Sequence, residues 1–150
     1  MRRAVACLGM VACACLATAA GADELVRFRV VNENAIPEKL TGRPGDPQKG
    51  AQVAASRTQG NCLACHALPV PEEKLQGNVG PDLQGVGSRL SEGELRLRVV
   101  NPKIVNPQTA MPAYYRTEGL HRVRKDLVGK PILTAEQVED VVAYLATLKQ

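Results

Sequence analysis

Residues 62–66 read Cys-Leu-Ala-Cys-His. On a helical turn, positions i, i+3 and i+4 share one face, so two thiols and an imidazole point the same way. A C-x-x-C-H run in an exported chain is the attachment signal for c-type haem. Cys62 and Cys65 are then expected to form thioethers to one covalent haem c, with His66 as the proximal ligand to its iron. The composition agrees. The 150 residues are 45% hydrophobic yet hold no Trp, one Phe and three Tyr. A large flat cofactor can fill the space that aromatic rings usually take in a core.

Other readings of the cysteine pair compete. A thioredoxin-like redox pair needs an α/β setting, and no βαβ pattern surrounds Gly60-Asn61-Cys62. A zinc site wants four ligands, and the histidines, His66 and His121, lie far apart in the chain. A plain disulfide across two residues is possible but does not call for the adjacent His66.

The first residues read as a leader. Arg2 and Arg3 precede an apolar run from Ala4 to Thr18, too short to span a bilayer as a helix. Ala20-Gly21-Ala22 offers a small-residue cleavage pattern, so residues 1–22 are expected to be a removed signal peptide. An uncleaved anchor and a lipoprotein box at Met10–Cys13 are the weaker alternatives. Of the 150 residues, 128 remain after removal of the first 22. Cys7, Cys13, Cys15, Met1 and Met10 leave with the leader, so Cys62, Cys65 and Met111 are the sulfur residues that stay. Seventeen basic residues then stand against 15 acidic ones once Arg2 and Arg3 are gone. That balance, and the lack of a Gly-rich phosphate loop, give no reason to expect a nucleic-acid or nucleotide partner. No second apolar span follows, so no membrane anchor is expected and the periplasm is the expected location.

Met111 lies in Asn106-Pro107-Gln108-Thr109-Ala110-Met111-Pro112. Two prolines and no helical period make this a loop, and a loop can lay a thioether over a haem face. Met111 is therefore expected to be the second axial ligand. His121 is the weaker choice, among cationic neighbours. A His/Met pair raises the potential and closes both axial positions, which favours electron transfer over chemistry at an open iron.

Helix signals complete an all-α architecture. Asp46-Pro47 predicts a cap and first turn for a helix near 47–57. Ser91-x-x-Glu94 is a capping box ahead of Leu95, Leu97, Val99 and Val100, with a stop before Pro102. Thr134-x-x-Gln137 opens a third helix, predicted to run to about Lys149, with Val138, Val141, Val142, Leu145 and Leu148 in one stripe. Val26–Val30 alternates like a short strand. The expected division is a leader at 1–22, an N-terminal extension at 23–45 and a haem domain at 46–150.

These features, with Gly80-Pro81-Asp82-Leu83-Gln84-Gly85-Val86-Gly87-Ser88-Arg89, resemble class I cytochrome c. The resemblance implies that the Pro81 carbonyl accepts from the ring of His66, that Leu83 packs on the haem and that Arg89 pairs with a propionate. One departure stands out. Where the family often has an aromatic on its N-terminal helix, this chain has Gly50-Ala51, so Tyr144 meets small partners in a contact either closer or weaker.

Ile36-Pro37-x-x-Leu40-Thr41-Gly42, Met111-Pro112-Ala113-Tyr114, Gly129-Lys130-Pro131-Ile132-Leu133-Thr134 and Val138–Leu145 narrow the resemblance to the SoxX family of monohaem cytochromes. That family implies a heterodimer with a SoxA-type cytochrome, acting as an L-cysteine S-thiosulfotransferase. Thiosulfate is there coupled oxidatively to a cysteine of the SoxYZ carrier. The SoxX subunit takes up the electrons and passes them to a downstream cytochrome c. The catalytic site is expected on the partner; this chain offers no catalytic residue, since Cys62 and Cys65 are committed to haem. A free-standing periplasmic electron shuttle has the same haem chemistry and stays open as the alternative. The stretch from Arg116 to Lys130 carries a net charge of +3 and reads either as a surface that steers an acidic partner or as a solvated face.

Overall fold

The computed structural model describes residues 25–150. The leader expected over residues 1–22 lies outside the described residues. Among the described residues four α-helices and two short 3-10 turns follow in order: α1 Pro47–Ala55, a turn at Cys62–Ala64, α2 Val86–Arg89, α3 Glu92–Val100, a turn at Lys125–Leu127 and α4 Ala135–Thr147. The fold is all-α.

Local chemistry fixes the helix starts. The Asp46 carboxylate accepts from the amides of Gln48 and Lys49, with Pro47 in the first turn of α1. Both capping boxes form, Ser91 with Glu94 on α3 and Thr134 with Gln137 on α4. Helix α1 ends at Ala55 and α4 at Thr147, each two residues before its predicted end. The sequence did not announce α2, a single turn that begins after Gly85 in the left-handed region at φ 67°.

Helices α1 and α4 pack backbone to backbone. A Cβ on Gly50 would lie 1.9 Å from the Asp140 carbonyl oxygen and 2.8 Å from the Tyr144 Cβ. A Cβ on Gly45 would lie 2.1 Å from the Glu139 carbonyl oxygen. The amide of Asp46 donates to the Asp140 carboxylate at 2.7 Å. Of the two outcomes the small residues allowed, the structure has the closer contact. Gly50→Ala is expected to cost about 3 kcal/mol, the upper end of overpacking penalties, because backbone rather than a movable side chain blocks the methyl. Urea denaturation of the haem-loaded protein measures it; a midpoint equal to that of the unmodified protein would contradict the packing.

The segment ahead of α1 is part of this core. Val26–Val30 forms no strand, because among the described residues no second segment lies alongside to pair with it; only an isolated bridge joins Val31 and Ala35 there. The segment runs as a strap instead. Phe28 and Val30 turn inward against the core, and the Val26 amide donates to the Tyr115 hydroxyl at 2.9 Å. Ile36 is fully buried and Leu40 nearly so.

The strap is fastened by a buried ion pair. Arg96 on α3 and Glu139 on α4 are 0% and 2% exposed. Arg96 Nε donates to Glu139 Oε1 at 2.7 Å and Nη2 to Oε2 at 2.9 Å. The remaining capacity goes to the strap. Arg96 Nη1 donates to the Ile36 carbonyl at 2.8 Å, and the Leu40 amide donates to Glu139 Oε1 at 2.8 Å. A buried pair needs its leftover donors and acceptors satisfied, and here the strap's backbone satisfies them.

Candidate haem site

The Cys62–Ala64 turn presents the motif. Asn61 enters it in the left-handed region at φ 48°, a conformation Asn tolerates better than most residues. The amides of Cys65 and His66 both donate to the Cys62 carbonyl, at 3.1 and 2.9 Å. The turn over Cys62–Ala64 is 3-10, the His66 bond closes it with an α-type span of four residues, and Cys62, Cys65 and His66 line one cleft.

A second segment lies against this turn. The amides of Gly77, Gly80 and Leu83 donate to the carbonyls of Leu63, Cys65 and Ala67, at 2.8, 2.7 and 3.0 Å. Two of these approaches require glycine. A Cβ at residue 77 would sit 2.1 Å from the Ala64 carbonyl oxygen, and one at residue 80 would sit 2.3 Å from Cε1 of the His66 ring. The Pro81 carbonyl oxygen lies 2.7 Å from His66 Nδ1. A carbonyl only accepts, so Nδ1 carries the proton and Nε2 keeps its lone pair for a metal.

The motif opens onto a cleft of about 620 Å³, within the roughly 300–1,000 Å³ common for cofactor sites. Cys62, Cys65, His66, Pro81, Leu83, Arg89 and Met111 all line it. Most of the remaining wall is aliphatic, from Val86, Leu95, Val99, Val141 and Leu145. Leu83 and Met111 are half-buried. Arg89 is exposed, with Nη1 and Nη2 donating to the carbonyls of Gln84 and Asp82 at 2.7 and 3.2 Å. His121 is exposed and lies outside the cleft wall. Arg124, in the basic stretch, is held by Asp126 in a two-point pair at 2.7 and 2.8 Å.

The loop bearing Met111 is tied down on both sides. Asn106 Oδ1 accepts from the Gln108 amide at 3.0 Å, and Lys103 Nζ donates to the Thr109 carbonyl at 2.7 Å. Beyond Met111, the Tyr114 amide donates to the Val99 carbonyl at 3.2 Å. The buried Tyr114 hydroxyl donates to the Gly60 carbonyl at 2.8 Å, joining the methionine loop to the residues just before Cys62. Burial pushes the Tyr114 phenol well above its ordinary range, so it stays a donor at any physiological pH. Sequence reasoning missed Tyr114, Gly77 and Gly80 as parts of the site; only the resemblance pointed to Pro81.

The residues fit a covalent haem. Cys62 and Cys65 are not bonded to each other. Burial pushes the Cys62 thiol up to about 11, whereas a redox-active pair wants a lowered thiol. Among the described residues no three His, Cys, Asp or Glu side chains gather as a metal-ion site. What the cleft offers is two adjacent thiols, an oriented imidazole, a thioether on another part of the wall, and an apolar interior.

An all-α chain with a C-x-x-C-H turn opening on an apolar cleft is a c-type haem protein. Residues 47–149 match the Cytochrome c family, and the chain belongs to that family. Its cofactor is covalent haem c. The chain is also similar to a chain in the crystal structure of SoxXA from P. pantotrophus. The two are 40% identical, the match covers 81% of this chain and 94% of that one, and the TM-score is 0.75. The SoxX resemblance read from the sequence segments thus has a counterpart in a solved structure. No curated relative matches the chain. Among the described residues no helix is long and apolar enough to cross a membrane.

Proposed function

We propose that this chain is the electron-transfer subunit of a periplasmic, SoxXA-type thiosulfate-oxidising complex. The observation that carries the electron-transfer reading is that His66 and Met111 line the same cleft as the two cysteines. Cys62 and Cys65 would hold the haem as thioethers, and His66 and Met111 would supply the iron's two remaining ligands from the protein itself. A small molecule would then find no open place at the iron, and electrons would be the cargo.

Each side chain has a task that its surroundings support. His66 keeps its orientation through Nδ1 and Pro81, which also raises the ligand's basicity. Met111 offers a thioether from a loop anchored at Asn106, Thr109 and Tyr114. Leu83 and the aliphatic wall keep water from the cofactor. Arg89, on the cleft wall, would pair with a propionate. Haem, when bound, supplies a one-electron couple. Neither described cysteine is left over as a nucleophile, so the sulfur chemistry belongs to a SoxA-type partner. The electrons come from coupling thiosulfate to a cysteine of a SoxYZ-type carrier and go on to another cytochrome c. Support for the partner comes from the solved SoxXA relative. Residues 1–22 act as the export signal, 23–45 as the extension and 46–150 as the haem domain.

Two measurements test this. Cys62→Ser with Cys65→Ser is expected to abolish haem that survives denaturing electrophoresis; retention of haem stain would reject the attachment. The complex is tested by gentle purification from the periplasm of thiosulfate-grown cells, with mass spectrometry of whatever co-elutes. A stoichiometric, larger c-type cytochrome is the expected companion. Elution as a lone haem-bearing monomer would favour the free shuttle instead.

A further inference from the structure

Among the described residues the cleft wall carries two charged side chains besides the candidate iron ligand His66, and both are cationic: Arg89 and Arg98. Among the described residues no Asp or Glu lines the cleft, and neither arginine takes part in an ion pair. An otherwise apolar cleft with two guanidinium groups suits a ligand with an apolar body and two carboxylates. Haem has that chemistry, through its two propionates.

Arg98 is half-buried on α3. Its Nη1 donates to the Glu94 carbonyl at 2.9 Å, one turn back on the same helix. Its Nη2 donates to Asn34 Oδ1 at 3.3 Å. Asn34 belongs to the strap, and its Nδ2 donates to Glu94 Oε1 at 2.7 Å. The other Glu94 oxygen accepts from the Ser91 amide and hydroxyl at 2.9 and 2.8 Å. The nearby carboxylate is therefore occupied by the helix cap and by Asn34. A guanidinium has five N–H donors, so these two bonds leave three for a further acceptor.

We propose that Arg98 is the second carboxylate partner of the haem, and that Asn34 is the positioning residue that holds it. This rests on the haem reading above. In this arrangement the strap reaches the cofactor's electrostatics through one side chain. A fixed cation at the cleft wall favours the electron-rich, reduced state, so its removal favours the oxidised one.

The test is a redox titration of the haem-loaded, full-length protein and its variants. Arg98→Gln is expected to raise the oxidised-to-reduced ratio at a given applied potential about tenfold, a fall of roughly 59 mV for one electron. The methionine-to-iron charge-transfer band should persist, since the axial ligands are untouched. Arg98→Lys keeps the charge and should keep the potential. Asn34→Ala should give part of the shift, with no further effect when added to Arg98→Gln. An unchanged potential in Arg98→Gln overturns the proposal, as do shifts that simply add. Should Arg98→Gln fail to hold haem, Asn34→Ala decides alone: a lowered potential supports the proposal and an unchanged one overturns it. An unmodified protein without covalent haem would overturn the parent reading, and this one with it.

Discussion

Glu139→Leu is expected to destabilise the haem-loaded protein by about 3–5 kcal/mol. The loss is large because the change leaves Arg96, 0% exposed, with no carboxylate nearer than the half-exposed Glu92 at 3.7 Å. The companion double variant, Arg96→Met with Glu139→Leu, separates two contributions. A buried ion pair replaced whole by apolar residues is often neutral or stabilising. Here the Ile36 carbonyl and the Leu40 amide also lose their partners, at about 1–3 kcal/mol for each buried group left unsatisfied. The double variant should therefore remain clearly less stable than the unmodified protein. Guanidinium unfolding followed by haem absorbance measures both. A fully restored double variant would mean that the strap's backbone does not depend on the pair.

Met111→Leu should produce the largest functional change. With no thioether the sixth position opens, and the potential should fall on the order of 0.1 V or more, inside the roughly 0.8 V span that axial ligands control. Carbon monoxide should then bind the reduced variant and leave the reduced, unmodified protein alone. Redox titration and difference spectra with added carbon monoxide check both effects. Ready binding by the unmodified protein would remove Met111 from the iron and reopen the case for chemistry at an open site.

What was legible in the sequence was what local chemistry writes down. Asp46-Pro47, Ser91 with Glu94, and Thr134 with Gln137 predict three helix starts that the structure contains. The stripe of Val138, Val141, Val142, Leu145 and Leu148 predicts a buried face; the first four are buried, and Leu148, just past the end of α4, is half-buried. The cysteine spacing names the cofactor. What escaped was decided by distant segments. Arg96 sits among apolar neighbours on α3, and Glu139 beside the stripe on α4; each reads as a solvated charge until the other is brought to it. Gly77 and Gly80 read as loop punctuation, because a glycine's need for closeness shows only beside its neighbour. Val26–Val30 has the alternation of a strand, but a strand exists only with a partner. The link from His66 to Pro81 came from resemblance, since no spacing rule joins a ring to a carbonyl 15 residues away.

The glycine-mediated seam between α1 and α4 also bears on how the chain reaches its fold. Asp46 and Asp140, hydrogen-bonded across it, are 94 residues apart in sequence, and Leu40 and Glu139 are 99 apart. Contacts of such long range demand loop closure before they return any stabilisation, and chains that rely on them fold slowly. Until the seam shuts, the valine face of α4 stays open to water and to other chains. Productive folding therefore competes with association between molecules, and the outcome depends on protein concentration.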